Sequence, residues 1–121
     1  MSSILIVEDH KLLRSLLEGD VSRMRPDASV TSCGSLDEAL PLLAAGPCDL
    51  VLLDLDLPDA KGLDGLRRIK SATSASVTIV SASSSRRVKE QARELGAASF
   101  VEKGGDIDKF YAELRQVLGG Q

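Results

Sequence analysis

Four short apolar runs in this chain each stop at a polar or charged residue. Ile4-Leu5-Ile6-Val7 leads into Glu8-Asp9, Leu50-Val51-Leu52-Leu53 into Asp54, Val77-Thr78-Ile79-Val80 into Ser81, and Phe100-Val101 into Glu102-Lys103. Short Val-, Ile- and Leu-rich runs without polar alternation read as strands covered on both faces, as parallel sheets are. Ligands of such sheets bind outside the carboxyl ends of the strands. The pattern therefore predicts that the carboxylates of Glu8, Asp9 and Asp54, the Ser81 hydroxyl and the Lys103 ammonium converge on one crevice.

The stretches between these runs have helical periodicity. Leu12, Leu13, Leu16, Leu17 and Val21 form an apolar stripe that ends at Arg25-Pro26-Asp27. The weak alternation from Ala28 to Cys33 predicts an edge strand. Ser35 with Glu38 has the form of a capping box, opening a helix with Leu36, Ala39, Leu40 and Leu43 inward and stopping before Gly46-Pro47. A third helix runs from Gly62 to about Ser71, and a fourth from Ser85 to Leu95, with Gly96 at the left-handed position after it. A fifth begins near Asp106 with Ile107, Phe110, Leu114, Val117 and Leu118 on one side. Five strand-helix pairs with short connections, wound by right-handed crossovers, make a doubly wound α/β fold of three layers.

Composition narrows the function. The 121 residues suit one domain, 1–121, with only Gly119-Gly120-Gln121 reading as the start of a linker. Fifteen Lys and Arg against eighteen Asp and Glu leave a net charge of -3, with no basic footprint for nucleic acid. No apolar run approaches the roughly 20 residues needed to cross a bilayer, and no signal core opens the chain, so it reads as cytoplasmic. Cys33 and Cys48 lack metal or redox spacing and read as reduced, buried small hydrophobes.

The converging residues suit one chemistry. Glu8, Asp9 and Asp54 offer hard oxygens for an octahedral cation that keeps several waters, a description of Mg²⁺ rather than zinc. An ionised Asp attacks phosphorus to form an acyl phosphate, while a cation and Lys103 offset charge on the phosphoryl oxygens and Ser81 donates a hydrogen bond to one of them.

These motifs together resemble the receiver domain of two-component response regulators, the CheY-like family, over essentially the whole chain. Glu8-Asp9 matches the family's acidic pair, and Asp54 in Leu-Leu-Asp-Leu-Asp-Leu-Pro matches its phosphoacceptor. Pro58 and Gly62 match the loop that follows, Ser81-Ala82 the hydroxyl residue and its small neighbour, Lys103 the family lysine and Phe100 the aromatic switch residue. The resemblance implies a flavodoxin-like sheet of order 2-1-3-4-5, and Mg²⁺ held by Glu8, Asp9, Asp54 and the backbone carbonyl of Asp56. It also implies a histidine kinase or phosphotransfer protein as donor, a phosphorylation-dependent homodimer through the fourth helix, fifth strand and fifth helix, and no substrate turnover beyond the protein's own aspartyl phosphate. Val-Glu-Asp-His, the Asp54 motif and the final Gly-Gly further suggest the NarL/FixJ type, often fused to a helix-turn-helix domain.

Two positions depart from the family pattern. Gly104 follows Lys103 where many members have Pro and a cis bond, and Asp56 adds a carboxylate two residues after the acceptor. The Asp54-Leu-Asp56 sequence also resembles the Asp-x-Asp of haloacid-dehalogenase phosphohydrolases. That motif, however, ends the first strand, is followed by Thr or Val, and needs room for a cap domain. A flavodoxin-type ligand module is disfavoured because no Gly-rich or Ser/Thr-rich phosphate loop follows the first strand.

Overall fold

A computed structural model describes residues 2–82 and 85–119. The central sheet contains β1 (Ser3–Val7), β2 (Ser29–Cys33), β3 (Leu50–Leu53), β4 (Ser76–Ser81) and β5 (Ser99–Glu102), all parallel and in the order β2-β1-β3-β4-β5. This is the predicted flavodoxin-like order. Five helices cover it: α1 (Lys11–Met24), α2 (Leu36–Ala45), α3 (Asp64–Ala72), α4 (Arg86–Glu94) and α5 (Ile107–Gly119).

Strand residues alternate between two cores, since successive side chains leave a strand on opposite faces. Ile4, Ile6, Leu52, Val80 and Val101 pack with Leu17 and Val21 of α1 and with Leu114 and Leu118 of α5. Leu5, Val7, Val51, Leu53, Val77 and Ile79 pack on the other face with residues of α2, α3 and α4. The runs lack polar alternation because both sides are buried. At the edge, β2 keeps an alternating pattern with exposed Ser29 and Thr31.

Local signals place most boundaries. The Ser35 hydroxyl accepts from the Glu38 N–H, and the Glu38 carboxylate accepts in turn from Ser35 Oγ and from the Gly34 N–H, one residue earlier than a standard capping box. Ser85 caps α4, and Gly96 leaves it with φ of 103°, a conformation that favours a residue without Cβ. Two apolar expectations differ. Leu12 and Leu16 on α1 and Ile107 on α5 are 65%, 53% and 64% exposed. The leucines of α1 occupy a stripe wider than the face that meets the sheet, so only Leu13, Leu17 and Val21 turn inward, while Ile107 begins α5 beyond the sheet's end. Residues 120 and 121 of the predicted linker lie outside the described residues.

After β3 the chain folds back in a small antiparallel ladder pairing Asp56 with Lys61 and Leu57 with Ala60. Gly62 ends it with φ of 58°, its N–H donating to the Leu55 carbonyl. Two-residue ladders carry no periodicity, so no strand signal marks this pairing.

Candidate functional site

Glu8, Asp54 and Lys103 are the first residues past β1, β3 and β5, Asp9 is the second past β1, and Ser81 is the last residue of β4. The Glu8 N–H donates to the Cys33 carbonyl at 3.0 Å, the Asp54 N–H to the Val7 carbonyl at 3.0 Å, and the Lys103 N–H to the Ser81 carbonyl at 2.8 Å. The parallel ladder thus continues one residue beyond the registered strands and sets these side chains at a common level. Glu8, Asp54 and Lys103 keep the parity of Ile6, Leu52 and Val101, on the α1–α5 side of the sheet. Together with Asp9, Asp56 and Ser81 they line an open cavity of about 500 Å³.

The charges are closely interlocked. Lys103 Nζ lies 2.9 Å from Glu8 Oε1 and 3.3 Å from Asp54 Oδ1, and the Lys103 side chain is only 16% exposed. Glu8 Oε2 accepts the His10 N–H at 3.1 Å. Burial pushes the Glu8 carboxyl above its ordinary value, the hydrogen bond and charge of Lys103 pull it back, and the Asp54 charge pushes it up again. Asp54 is also buried, and its Oδ1 accepts the Asp56 N–H at 3.2 Å. Ser81 is buried, whereas Asp9 is exposed at the mouth.

The remaining predicted residues fall as follows. His10 caps α1, its Nδ1 accepting the Leu13 N–H at 3.3 Å. The Asp56 side chain is exposed and lies 3.5 Å from Lys61 Nζ. Phe100 is half-buried against the core on the α2–α4 side, away from the cavity lining, with the Lys89 ammonium 5.5 Å from its ring centroid. Gly104 and Gly105 both have positive φ, 81° and 68°, so this loop turns through glycine conformations. Cys33 is buried and Cys48 half-buried; burial raises the Cys33 thiol to about 11, which leaves it protonated and inert.

Among the described residues no three carboxylate, imidazole or thiol groups converge closely enough to hold a metal by themselves. Mg²⁺ does not require such a cage, since it keeps several waters and takes one or two carboxylates. The donor set at the cavity, Asp9, Asp54 and the Asp56 carbonyl, consists of hard oxygens alone and fits that cation. Glu8, engaged by Lys103 and the His10 N–H, contributes charge from behind.

Sequence reasoning missed several neighbours. Asp59 accepts the N–H groups of Leu36 and Asp37 at 3.0 and 2.8 Å, capping α2 from the loop after Asp54. Asp20 on α1 accepts the Tyr111 hydroxyl of α5 at 2.9 Å and pairs with Arg23. Arg14 reaches back to the Glu8 carbonyl at 3.3 Å. The Asp59 and Tyr111 contacts join distant segments, and of these only the Asp59 cap had a local hint, in the turn-forming Pro58-Asp59.

A doubly wound parallel sheet with acidic groups, a hydroxyl and an ammonium at its carboxyl edge defines an α/β protein with a charged crevice where the ligands of such sheets bind. The chain belongs to the response regulator receiver domain family, whose model matches residues 4–115. It is 34% identical over 122 residues to the glycerol metabolism activator of Pseudomonas putida, covering 99% of this chain and 55% of that protein. It is 33% identical over 123 residues to the response regulator ArlR of Staphylococcus epidermidis, covering 100% of this chain and 54% of ArlR. The chain spans about half the length of these curated relatives. Among solved structures, the non-phosphorylated HemR receiver domain of Leptospira biflexa superposes with a TM-score of 0.83 at 28% identity, over 98% of this chain and 94% of that one. The matching family is the receiver domain as a whole, which does not by itself show the narrower NarL/FixJ type. Among the described residues no helix is long and apolar enough to cross a membrane.

Proposed function

We propose that this receiver, spanning residues 1–121, accepts a phosphoryl group on Asp54. The observation that carries the reading is the placement of one buried carboxylate, Asp54, within 3.3 Å of a lysine ammonium and at the floor of an open cavity with acidic neighbours. Oδ1 is held by the Asp56 N–H and Lys103, so Oδ2 is the oxygen offered to phosphorus. An oxygen–phosphorus bond forms at Asp54 as the donor's phosphorus–nitrogen bond, for a kinase phosphohistidine, or phosphorus–oxygen bond, for acetyl phosphate, breaks and its electron pair leaves with the donor. Mg²⁺ held by Asp9, Asp54 and the Asp56 carbonyl would supply positive charge to the phosphoryl oxygens. Lys103 stabilises one of those oxygens, and the Ser81 hydroxyl donates to another.

Such a protein has a histidine kinase or phosphotransfer protein as its donor in the cytoplasm, and turns over no substrate apart from its own aspartyl phosphate. Its output is a change in the population of two surfaces around α4, β5 and α5, read by self-association or by a partner domain. The test is labelling with acetyl phosphate and Mg²⁺ followed by intact-mass measurement. The wild type gains one phosphoryl group and Asp54→Asn gains none; labelling retained by Asp54→Asn overturns the assignment.

A further inference from the structure

The turn between β2 and α2 contains a glycine that its backbone does not demand. Gly34 is not among the residues with positive φ. A Cβ placed on it would lie 2.3 Å from Arg14 Nη1 and 3.6 Å from Arg14 Cζ, with Glu38 Oε1 at an ordinary 3.5 Å completing the three nearest atoms. What excludes a side chain here is the Arg14 guanidinium. That same Nη1 donates to the Glu8 carbonyl at 3.3 Å, and the Glu8 N–H donates to the carbonyl of Cys33, the residue before Gly34, at 3.0 Å. Glu8 is therefore gripped on both sides by the end of β2: directly through its N–H, and through its carbonyl by an arginine lying over Gly34. That carbonyl belongs to the peptide that leads into Asp9.

We propose that Arg14, seated over Gly34, is a positioning residue that holds the Glu8–Asp9 peptide in the orientation needed for metal binding. The inference rests on the reading of Asp9 and Asp54 as the Mg²⁺ site. Charge and positioning predict opposite signs. Arg14 is a cation near an acidic site, so by charge alone its removal strengthens Mg²⁺ binding, whereas loss of a hydrogen bond that orients a ligand weakens it.

The experiment compares wild type, Arg14→Ala, Gly34→Ala and the double variant by amide NMR during Mg²⁺ titration, with hydrogen exchange of the His10 and Asp9 amides measured in the metal-free protein. Gly34→Ala, which keeps every charge and whose one clash among the nearest atoms is with the end of a flexible side chain, is expected to fold like the wild type yet bind Mg²⁺ roughly three- to tenfold more weakly. Arg14→Ala weakens binding similarly, and the double variant is no weaker than Arg14→Ala, because nothing is left for the new methyl group to displace. Both single variants exchange the His10 and Asp9 amides faster than the wild type. Wild-type affinity in Gly34→Ala, or tighter binding by Arg14→Ala, overturns the inference. A wild type that binds no Mg²⁺ instead overturns the reading of the metal site, and the metal-free exchange rates then decide on Arg14 by themselves.

Discussion

The Lys103 ammonium lies 2.9 Å from Glu8 Oε1, tying the carboxyl end of β5 to that of β1 across β3 and β4. Both side chains are largely buried, so each offsets the other's charge where water does so poorly. Removing one partner of such a pair leaves an uncompensated charge, which costs more than the pair itself contributes.

Lys103→Met is therefore expected to destabilise the metal-free protein by about 3 kcal/mol near neutral pH. Burial already holds the Glu8 carboxyl above its ordinary value, and Lys103 is the main influence pulling it down. Without Lys103 the folded-state value rises further above the unfolded one. A carboxyl raised in this way favours folding when protonated, and that benefit is lost as pH rises through the folded value. The deficit of the variant should thus be full at higher pH and shrink as the pH falls through that value. Urea unfolding of both proteins between pH 5 and pH 8 checks this, and a deficit independent of pH would count against it.

Asp59 gives a dependence of opposite sign. The Leu36 N–H is the main cause holding its carboxyl below the ordinary range, with the Asp37 N–H adding to it. A depressed carboxyl contributes stability above its unfolded value, lost as pH falls through the folded one. Asp59→Ala should cost about 0.5–2 kcal/mol at pH 7, as loss of a helix cap does, and progressively less below about pH 4. Thermal melts across that range provide the measurement.

The Asp56 side chain, unlike its backbone, reaches the site only through solvent. Its carboxylate is 84% exposed and pairs loosely with Lys61, itself 75% exposed. Exposed charges of this kind are worth about 0.2–1 kcal/mol. Asp56→Asn should bind beryllofluoride more tightly, by no more than about fivefold, and retain its phosphoryl group longer, while Lys61→Ala should shift both quantities the other way. High salt should erase both differences in affinity. Faster phosphate loss from Asp56→Asn would show that the carboxylate shields the site from water.

Lys89 offers a readout of the Phe100 ring. With the ammonium 5.5 Å from the ring centroid, the Lys89 methylene protons experience the ring's field. If the ring turns inward when beryllofluoride and Mg²⁺ bind, those protons should move toward unshifted positions in the NMR spectrum. Phe100→Leu should abolish the change. Lys89 resonances that stay fixed while Ser81 shifts would uncouple the aromatic residue from the site.

Much of this protein was legible in its sequence because the signals are local. Apolar runs without alternation marked β1, β3, β4 and β5 as strands, the first three of them buried on both faces, and Ser35, Ser85 and Gly96 marked helix ends through hydrogen bonds and φ values that depend on near neighbours. The polar residues just beyond those runs were legible for the same reason: a parallel sheet brings its carboxyl ends together whichever strands are neighbours. Tertiary structure alone decided which partner each polar group met. That Lys103 reaches Glu8 as well as Asp54, that Asp59 caps a helix 22 and 23 residues earlier, and that Gly34 is vacant for Arg14 depend on strand order and register. Leu12, Leu16 and Ile107 mark the same boundary from the apolar side, for periodicity shows that a helix has a greasy stripe but not how much of it the sheet is wide enough to cover.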